Sequence, residues 1–396
     1  MRPFHYLTAV TVSAALALSI FPAMAVAGQV VATTSGHTPV PAPPRARNVI
    51  LFLADAGGVP VLSAASLMAY GEPLRLHVQQ WPHLGLSETS PVDDFVSDSA
   101  NGMSAIVTGI KTRNGVISQG PDAVRGRTDG AATKTLLEYA EERGLLTGVI
   151  TTQSIADATP AANYAHVNDR AKWGEIFVQA FSPRFGDGAD VLFGAGRQRI
   201  AEQLAALGTG FDALSDTHDR PIYATLDEAP AANLRPIVVA DEMDVHAATL
   251  RALNVLQRSP TGYFLVVEWD AHTDDPRAGL QNVVDFDRLI AEVEGRVDLN
   301  DTLLLFTADH SFGLQVDGGR RGTPLLEGYD AWRASGGEGT VRLDHVLVNA
   351  THTAEEVPVL AIGAGAERVH GYFPNTYLFQ VMMDAWGWTP DPSPSN

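Results

Sequence analysis

The chain has 396 residues, 45% of them hydrophobic and 18% charged, with 46 acidic against 27 basic side chains, a formal net charge of −19 and no cysteine. The apolar share excludes global disorder, and the length allows a sizeable core in one large domain or two. Zero cysteine excludes disulfides, thiolate metal sites, iron–sulfur clusters and a cysteine nucleophile, while the acidic balance argues against a general nucleic-acid binder, which needs a basic face.

The N-terminus reads as a signal peptide over residues 1–27: Arg2, an apolar run from Leu7 to Pro22, then Ala23-Met24-Ala25 as a small-x-small cleavage pattern, with Ala25-Val26-Ala27 as the second choice. The run is short for a membrane span, which needs about 20 apolar residues. The expected product is a periplasmic or secreted protein with no membrane contact in its mature form. Residues 28–46, with Thr38-Pro39-Val40-Pro41-Ala42-Pro43-Pro44, form a Pro/Thr-rich leader. Residues 391–396 form a similar tail, which leaves residues 47–390 as a single folded domain.

Short, nearly continuous apolar runs predict strands buried on both faces at Asn48–Asp55, Thr147–Thr152, Tyr263–Glu268, Thr302–Thr307 and Val357–Ile362. Helical periodicity lies between them, at Ala131–Arg143 (stopped by Gly144), Ala240–Arg258 and Val283–Val297. The alternation predicts an α/β fold, a mainly parallel central sheet flanked by helices on both faces. Residues 181–240 and 313–346 are less regular and are expected to be insertions over one edge.

In such sheets ligands bind beyond the carboxyl ends of the strands. Those ends carry Asp55, the Asp157/Thr159 pair, Glu268, Asp309-His310 and the neighbourhood of His352. One acidic strand end is commonly a cap or a turn. Several at one rim repel one another unless a cation offsets them, so their convergence points to a metal cluster.

Five segments carry the chemistry. Asp55 follows a buried strand and precedes Gly57-Gly58, which let backbone approach a ligand. Asp98-Ser99-Ala100 continues through small residues to Thr108-Gly109-Ile110-Lys111-Thr112; a hydroxyl at that helix start sees the positive end of the helix dipole. Asp157-Ala158-Thr159-Pro160-Ala161-Ala162 offers hard oxygens suited to Mg²⁺, and Arg170 beyond it offers a planar fork matched to phosphate. Glu268-Trp269-Asp270-Ala271-His272 places an acid and a histidine four apart, a spacing that shares one helical face. Thr307-Ala308-Asp309-His310 and the later His352-Thr353 complete the set.

These segments, in this order, resemble the alkaline phosphatases. The Asp-Ser-Ala segment with its Thr-Gly-x-Lys-Thr continuation, Asp-Ala-Thr-Pro-Ala-Ala-x-x-x-His, Thr-Ala-Asp-His and His-Thr-x-x-x-x-Pro-Val are jointly specific, and the resemblance covers most of Arg47 to Gly387. It implies a hydrolase of phosphate monoesters in which Ser99 forms a phosphoserine and contacts zinc. It further implies that Asp55 bridges one zinc and a magnesium, that Asp309 and His310 hold the zinc activating Ser99, and that His272 and His352 hold the second zinc. Thr159 would bind magnesium with Asp157 in or near its surroundings, and Arg170 would clamp phosphate. The implied cofactors are two Zn²⁺ and one Mg²⁺. The implied partners are small phosphate esters, with inorganic phosphate as product, no specific nucleic acid, and a homodimer among the open assembly states.

The fourth segment departs from the family pattern by compression. Either Glu268 stands in for the zinc-ligating Asp beside His272 and the magnesium Glu is missing, which is the favoured reading, or Glu268 is the magnesium ligand and Asp270 or Asp274 serves the zinc. A phosphodiesterase or sulfatase of the same superfamily, and an inactive phosphate-binding relative, remain the alternatives.

Overall fold

The computed structural model describes residues 45–391. The expected signal peptide (1–27) and nearly all of the leader (28–46) and tail (391–396) lie outside the described residues. Thirteen strands are formed: β1 Asn48–Asp55, β2 His83–Glu88, β3 Leu146–Ser154, β4 Val191–Ala195, β5 Ile222–Tyr223, β6 Ile237–Val239, β7 Tyr263–Asp270, β8 Thr302–Thr307, β9 Ser311–Val316, β10 Val341–Arg342, β11 Val346–Thr353, β12 Val357–Gly363 and β13 Gly371–Pro374. Ten make one sheet in the order β13-β2-β12-β8-β1-β7-β3-β4-β6-β5, and β10-β11-β9 make a second, antiparallel one. In the large sheet β12 alone runs against the other nine.

The continuous apolar runs are explained by helices on both faces. In β1 every residue is buried. Val49, Leu51 and Leu53 face one core with the helices Ser99–Thr108, Leu136–Glu142 and Tyr377–Trp386. Ile50, Phe52 and Ala54 face the other with Val59–Tyr70, Val245–Leu256 and Pro276–Glu294. A large-to-small change here, such as Phe52→Ala, would cost about 3–5 kcal/mol. The α/β architecture with a mainly parallel sheet is the one expected from the sequence.

Helix limits differ from the periodicity where caps decide. The expected Ala131–Arg143 helix begins only at Leu136, because Thr135 and Glu138 form a reciprocal capping box. Asp244 caps the next helix, so it starts at Val245 rather than Ala240. Asp275 accepts from the Arg277 and Ala278 N–H groups, which starts the following helix at Pro276, ahead of the expected Val283.

The segment 181–240 is not a mere insertion. It supplies β4, β5 and β6, which extend the parallel sheet to its edge. These strands are two to five residues long, too short to register as periodic patterns. The segment 313–346 instead contributes to the small sheet through β9 and β10. Among the described residues no helix is long and apolar enough to cross a membrane.

Candidate active site

Ser99 opens the helix Ser99–Thr108, and Asp98 caps it by accepting from the Asn101 N–H at 3.0 Å. Every residue of this helix is buried. Gly102 permits its close approach to the β8–β9 connection, since a Cβ there would lie 2.4 Å from the Asp309 carbonyl oxygen. Ser99 is 3% exposed. Its Oγ lies 3.3 Å from His310 Nε2 and 3.5 Å from Asp55 Oδ1. The nucleophile candidate thus combines a helix N-terminus with a carboxylate and an imidazole.

Asp55, Glu268 and Asp309 are all buried. Asp309 Oδ1 accepts from the backbone of Ala56 at 3.3 Å and of His310 at 3.1 Å, while Oδ2 is buried with no hydrogen-bond partner. Glu268 accepts from the Thr151 hydroxyl. Burial alone would raise the Asp55 carboxyl, but His272 and His310 hold it well below the usual carboxylate range. Burial and the Asp55 charge push Asp309 up to about 6, and the same two causes push Glu268 well above its ordinary value. Carboxylates this close resist joint ionisation unless a cation offsets them.

Three imidazoles meet at the same place. Ring nitrogens of His272, His310 and His352 all lie within 4.8 Å of one another, as do ligand atoms of Asp55, Asp309 and His310. His310 and His352 stack with centroids 3.7 Å apart. His352 Nδ1 is 2.9 Å from the Ser97 carbonyl oxygen, which leaves Nε2 for a ligand. His272 Nδ1 lies 2.8 Å from Asp270 Oδ1 and 3.8 Å from Asp55 Oδ1. Burial would lower His272, yet Asp55 and Asp270 raise it to about 9; burial and the neighbouring His310 lower His352 to about 4.

Arg170 spans two carboxylates, with Nη1 3.4 Å from Asp98 Oδ2 and Nη2 3.2 Å from Asp157 Oδ1. Burial works against its charge, but Asp157 and Asp98 more than offset that. Thr159 lies in the short buried helix Ala158–Ala161, and its Oγ1 has no partner.

The donor set is oxygen and imidazole nitrogen without sulfur, and it includes orphaned buried oxygens on Asp309 and Thr159. These are features of a site for hard or borderline divalent cations. A sequence profile described as alkaline phosphatase matches residues 46–205 and 241–338. The chain belongs to the alkaline phosphatase family.

Relatives and solved structures of that family agree. The chain is 31% identical to streptomycin-6-phosphate phosphatase of Streptomyces griseus, over 90% of this chain and 93% of that one. It is 26% identical to the human tissue-nonspecific alkaline phosphatase, over 86% and 83% respectively. A magnesium-bound variant of TAB5 alkaline phosphatase superposes with a TM-score of 0.71 at 25% identity, covering 88% of this chain and all of that one. The Thermus thermophilus enzyme gives a TM-score of 0.73 at 22% identity over 87% and 92%, a likeness of fold. Membership places the chain among the metal-dependent phosphate-ester hydrolases.

The alkaline phosphatase fold gathers Asp55, Ser99, His272, Asp309, His310 and His352, and it sets Arg170 on Asp157. One local expectation fails. Glu268 and His272 do not share a helical face, because β7 continues to Asp270 and the next helix starts only at Pro276. Glu268 is therefore inside the strand, in register with Leu53 and Thr151, and the strand end is Asp270. Three contacts escaped the sequence reading: Asp98 on Arg170, Thr151 on Glu268 and the Ser97 carbonyl on His352. Asp98 had a signal in its adjacency to Ser99. Thr151 had none, since its role comes from β3 lying beside β7.

Proposed function

We propose that this alkaline phosphatase family member is an exported phosphomonoesterase that works through a phosphoserine at Ser99. The observation that carries this is the buried Ser99 hydroxyl set between Asp55 and His310, in a site that also holds a doubly anchored Arg170. Arg170 would bind two of the three free oxygens of a monoester phosphate dianion, where a diester has only two free oxygens and a single negative charge to offer. Ser99 Oγ would form a bond to phosphorus as the phosphorus–alcohol oxygen bond breaks; water would then break the Oγ–phosphorus bond and release inorganic phosphate.

Asp309 and His310 would hold one zinc, His272, His352 and Asp270 a second, and Asp55, Glu268 and Thr159 a magnesium. Bound there, the ions would supply Lewis-acid activation of the serine hydroxyl and of water, and stabilise the entering and leaving oxygens. Asp98 and Asp157 keep the guanidinium in place. The streptomycin-6-phosphate phosphatase relationship favours a small soluble phosphate ester as substrate.

The test compares rates on an aryl phosphate monoester, a diester and an aryl sulfate with the metal-loaded protein. Fastest turnover of the monoester supports the reading; faster diester or sulfate turnover overturns it. N-terminal sequencing of the protein recovered outside the cytoplasm should begin near residue 26 or 28.

A further inference from the structure

The loop 89–98 leaves β2 at the carboxyl end of the parallel strands, the end that also presents Asp55, and it leads into Ser99. Its backbone is fastened on both sides of its middle. Val92 donates to the Thr112 carbonyl at 3.0 Å, and Asn114 donates its N–H to Asp93 Oδ1 at 3.2 Å. Asn114 Nδ2 donates to the Val96 carbonyl, and Asn114 Oδ1 accepts from the Asp98 N–H, each at 2.9 Å. The carboxylates here are engaged as well: Asp94 accepts from the Phe95 N–H at 2.7 Å, and Asp93 lies 3.9 Å from Arg113. What remains unengaged is the Phe95 side chain. The residue is 85% exposed, the most exposed large hydrophobic residue among those described.

A lone apolar side chain on a surface needs no explanation; one carried by a fastened loop that runs directly into the candidate nucleophile does. Phe95 is four residues before Ser99, so their Cα atoms lie within about 14 Å. The side of the site is also fixed. Asp55, Asp309 and His310 are buried, whereas His272, His352 and Arg170 are partly open, and His352 is bonded to Ser97 of this same loop. An ester with its phosphorus against Ser99 directs its alcohol away from Oγ, in line, toward the open side.

We propose that Phe95, with the half-exposed Val92 of the same loop, is a specificity-determining wall for the carbon skeleton of the leaving alcohol. It favours esters of aromatic or other flat cyclic alcohols over short acyclic ones. The inference rests on the monoesterase reading above. An offset aromatic contact of this kind corresponds to about a three- to tenfold effect.

The experiment measures KM and kcat of the metal-loaded parent, Phe95→Ala and Phe95→Tyr on 4-nitrophenyl phosphate and on glycerol 2-phosphate. Phe95→Ala should raise KM for the aryl ester about three- to tenfold with kcat kept, and leave both constants for the glycerol ester within about twofold. Phe95→Tyr should restore the parent KM. Equal changes on the two esters, no change on either, or an altered oligomeric mass with unchanged kinetics would each overturn the wall. A parent inactive on both esters overturns the monoesterase reading and the wall with it; an active parent that fails only the selective KM test overturns the wall alone.

Discussion

Asp55 on β1 and Asp270 on β7 are register partners at the carboxyl ends of adjacent parallel strands, and His272 Nδ1 lies near both, at 3.8 and 2.8 Å. Asp270 thus occupies the place beside His272 that the compressed sequence left open between Glu268, Asp270 and Asp274. Asp270→Asn should weaken zinc binding about 10- to 100-fold in a competitive chelator titration. Glu268→Gln should leave the zinc stoichiometry intact and lower magnesium content. The reverse pattern would move Glu268 to the zinc beside His272.

Ser99→Ala should abolish phosphoenzyme trapping in acid-quenched reactions and lower kcat by at least about a thousandfold, the scale of losing a covalent nucleophile. The serine makes only weak contacts at 3.3 and 3.5 Å, so the melting temperature should stay within a few degrees of the parent. A trapped phosphoenzyme in the alanine variant would assign the nucleophile elsewhere.

Arg170→Lys should raise KM and the inhibition constant of inorganic phosphate together, by about 10-fold or more, because a charged hydrogen bond is worth about 1.5–3 kcal/mol and lysine cannot present a fork. Phosphate inhibition is the direct readout. An unchanged inhibition constant would place phosphate away from the guanidinium.

Chelation should lower stability as well as rate. Asp55, Glu268 and Asp309 are buried together, and cations bound as proposed would offset their mutual repulsion. At about a thousandfold excess over Kd a single ligand adds about 4 kcal/mol. Calorimetry should show a lower Tm after EDTA and recovery on adding zinc and magnesium. A Tm indifferent to EDTA would remove the metals from the stability of the fold.

Glu141, near the end of the helix Leu136–Glu142, sets a pH trend in stability. Its carboxylate accepts from the Thr147 hydroxyl at 3.2 Å and from the Asp187 and Gly188 N–H groups at 3.1 and 2.9 Å, and burial pushes it up to about 8 from 4.5. The unfolded chain loses this proton near 4.5 and the folded chain near 8. Between those values the unfolded state binds fewer protons, so this group's stability contribution, full below about 4.5, is lost as pH rises through about 8. Denaturation at pH 5 and pH 8.5 should show Glu141→Gln gaining on the parent at the higher pH. A difference independent of pH would show that the carboxyl ionises alike in both states.

The central strands were legible because burial on both faces leaves an unbroken apolar run; β1 and β8 match the expected limits residue for residue. The edge strands β4, β5 and β6 were not, since two to five residues between loops carry too little pattern. The candidate groups that the fold brings together around Ser99 were legible through local motifs. Their supports were not: Thr151 meets Glu268, and Ser97 meets His352, only because distant segments are brought side by side. The helical spacing read into Glu268 and His272 failed because spacing carries no information on where a strand stops.

The place of β1 in the sheet has a consequence for how the protein is made. Among the described residues β1 is the first strand to emerge during synthesis, it is wholly buried, and its two neighbours, β7 and β8, are encoded more than two hundred residues later. For most of translation this apolar segment has no hydrogen-bonding partner, a condition that slows folding and invites aggregation. The same order bears on the proposed chemistry: His310 and His352 arrive well after Ser99, so a chain cut short before them lacks the imidazoles that the fold sets around that serine.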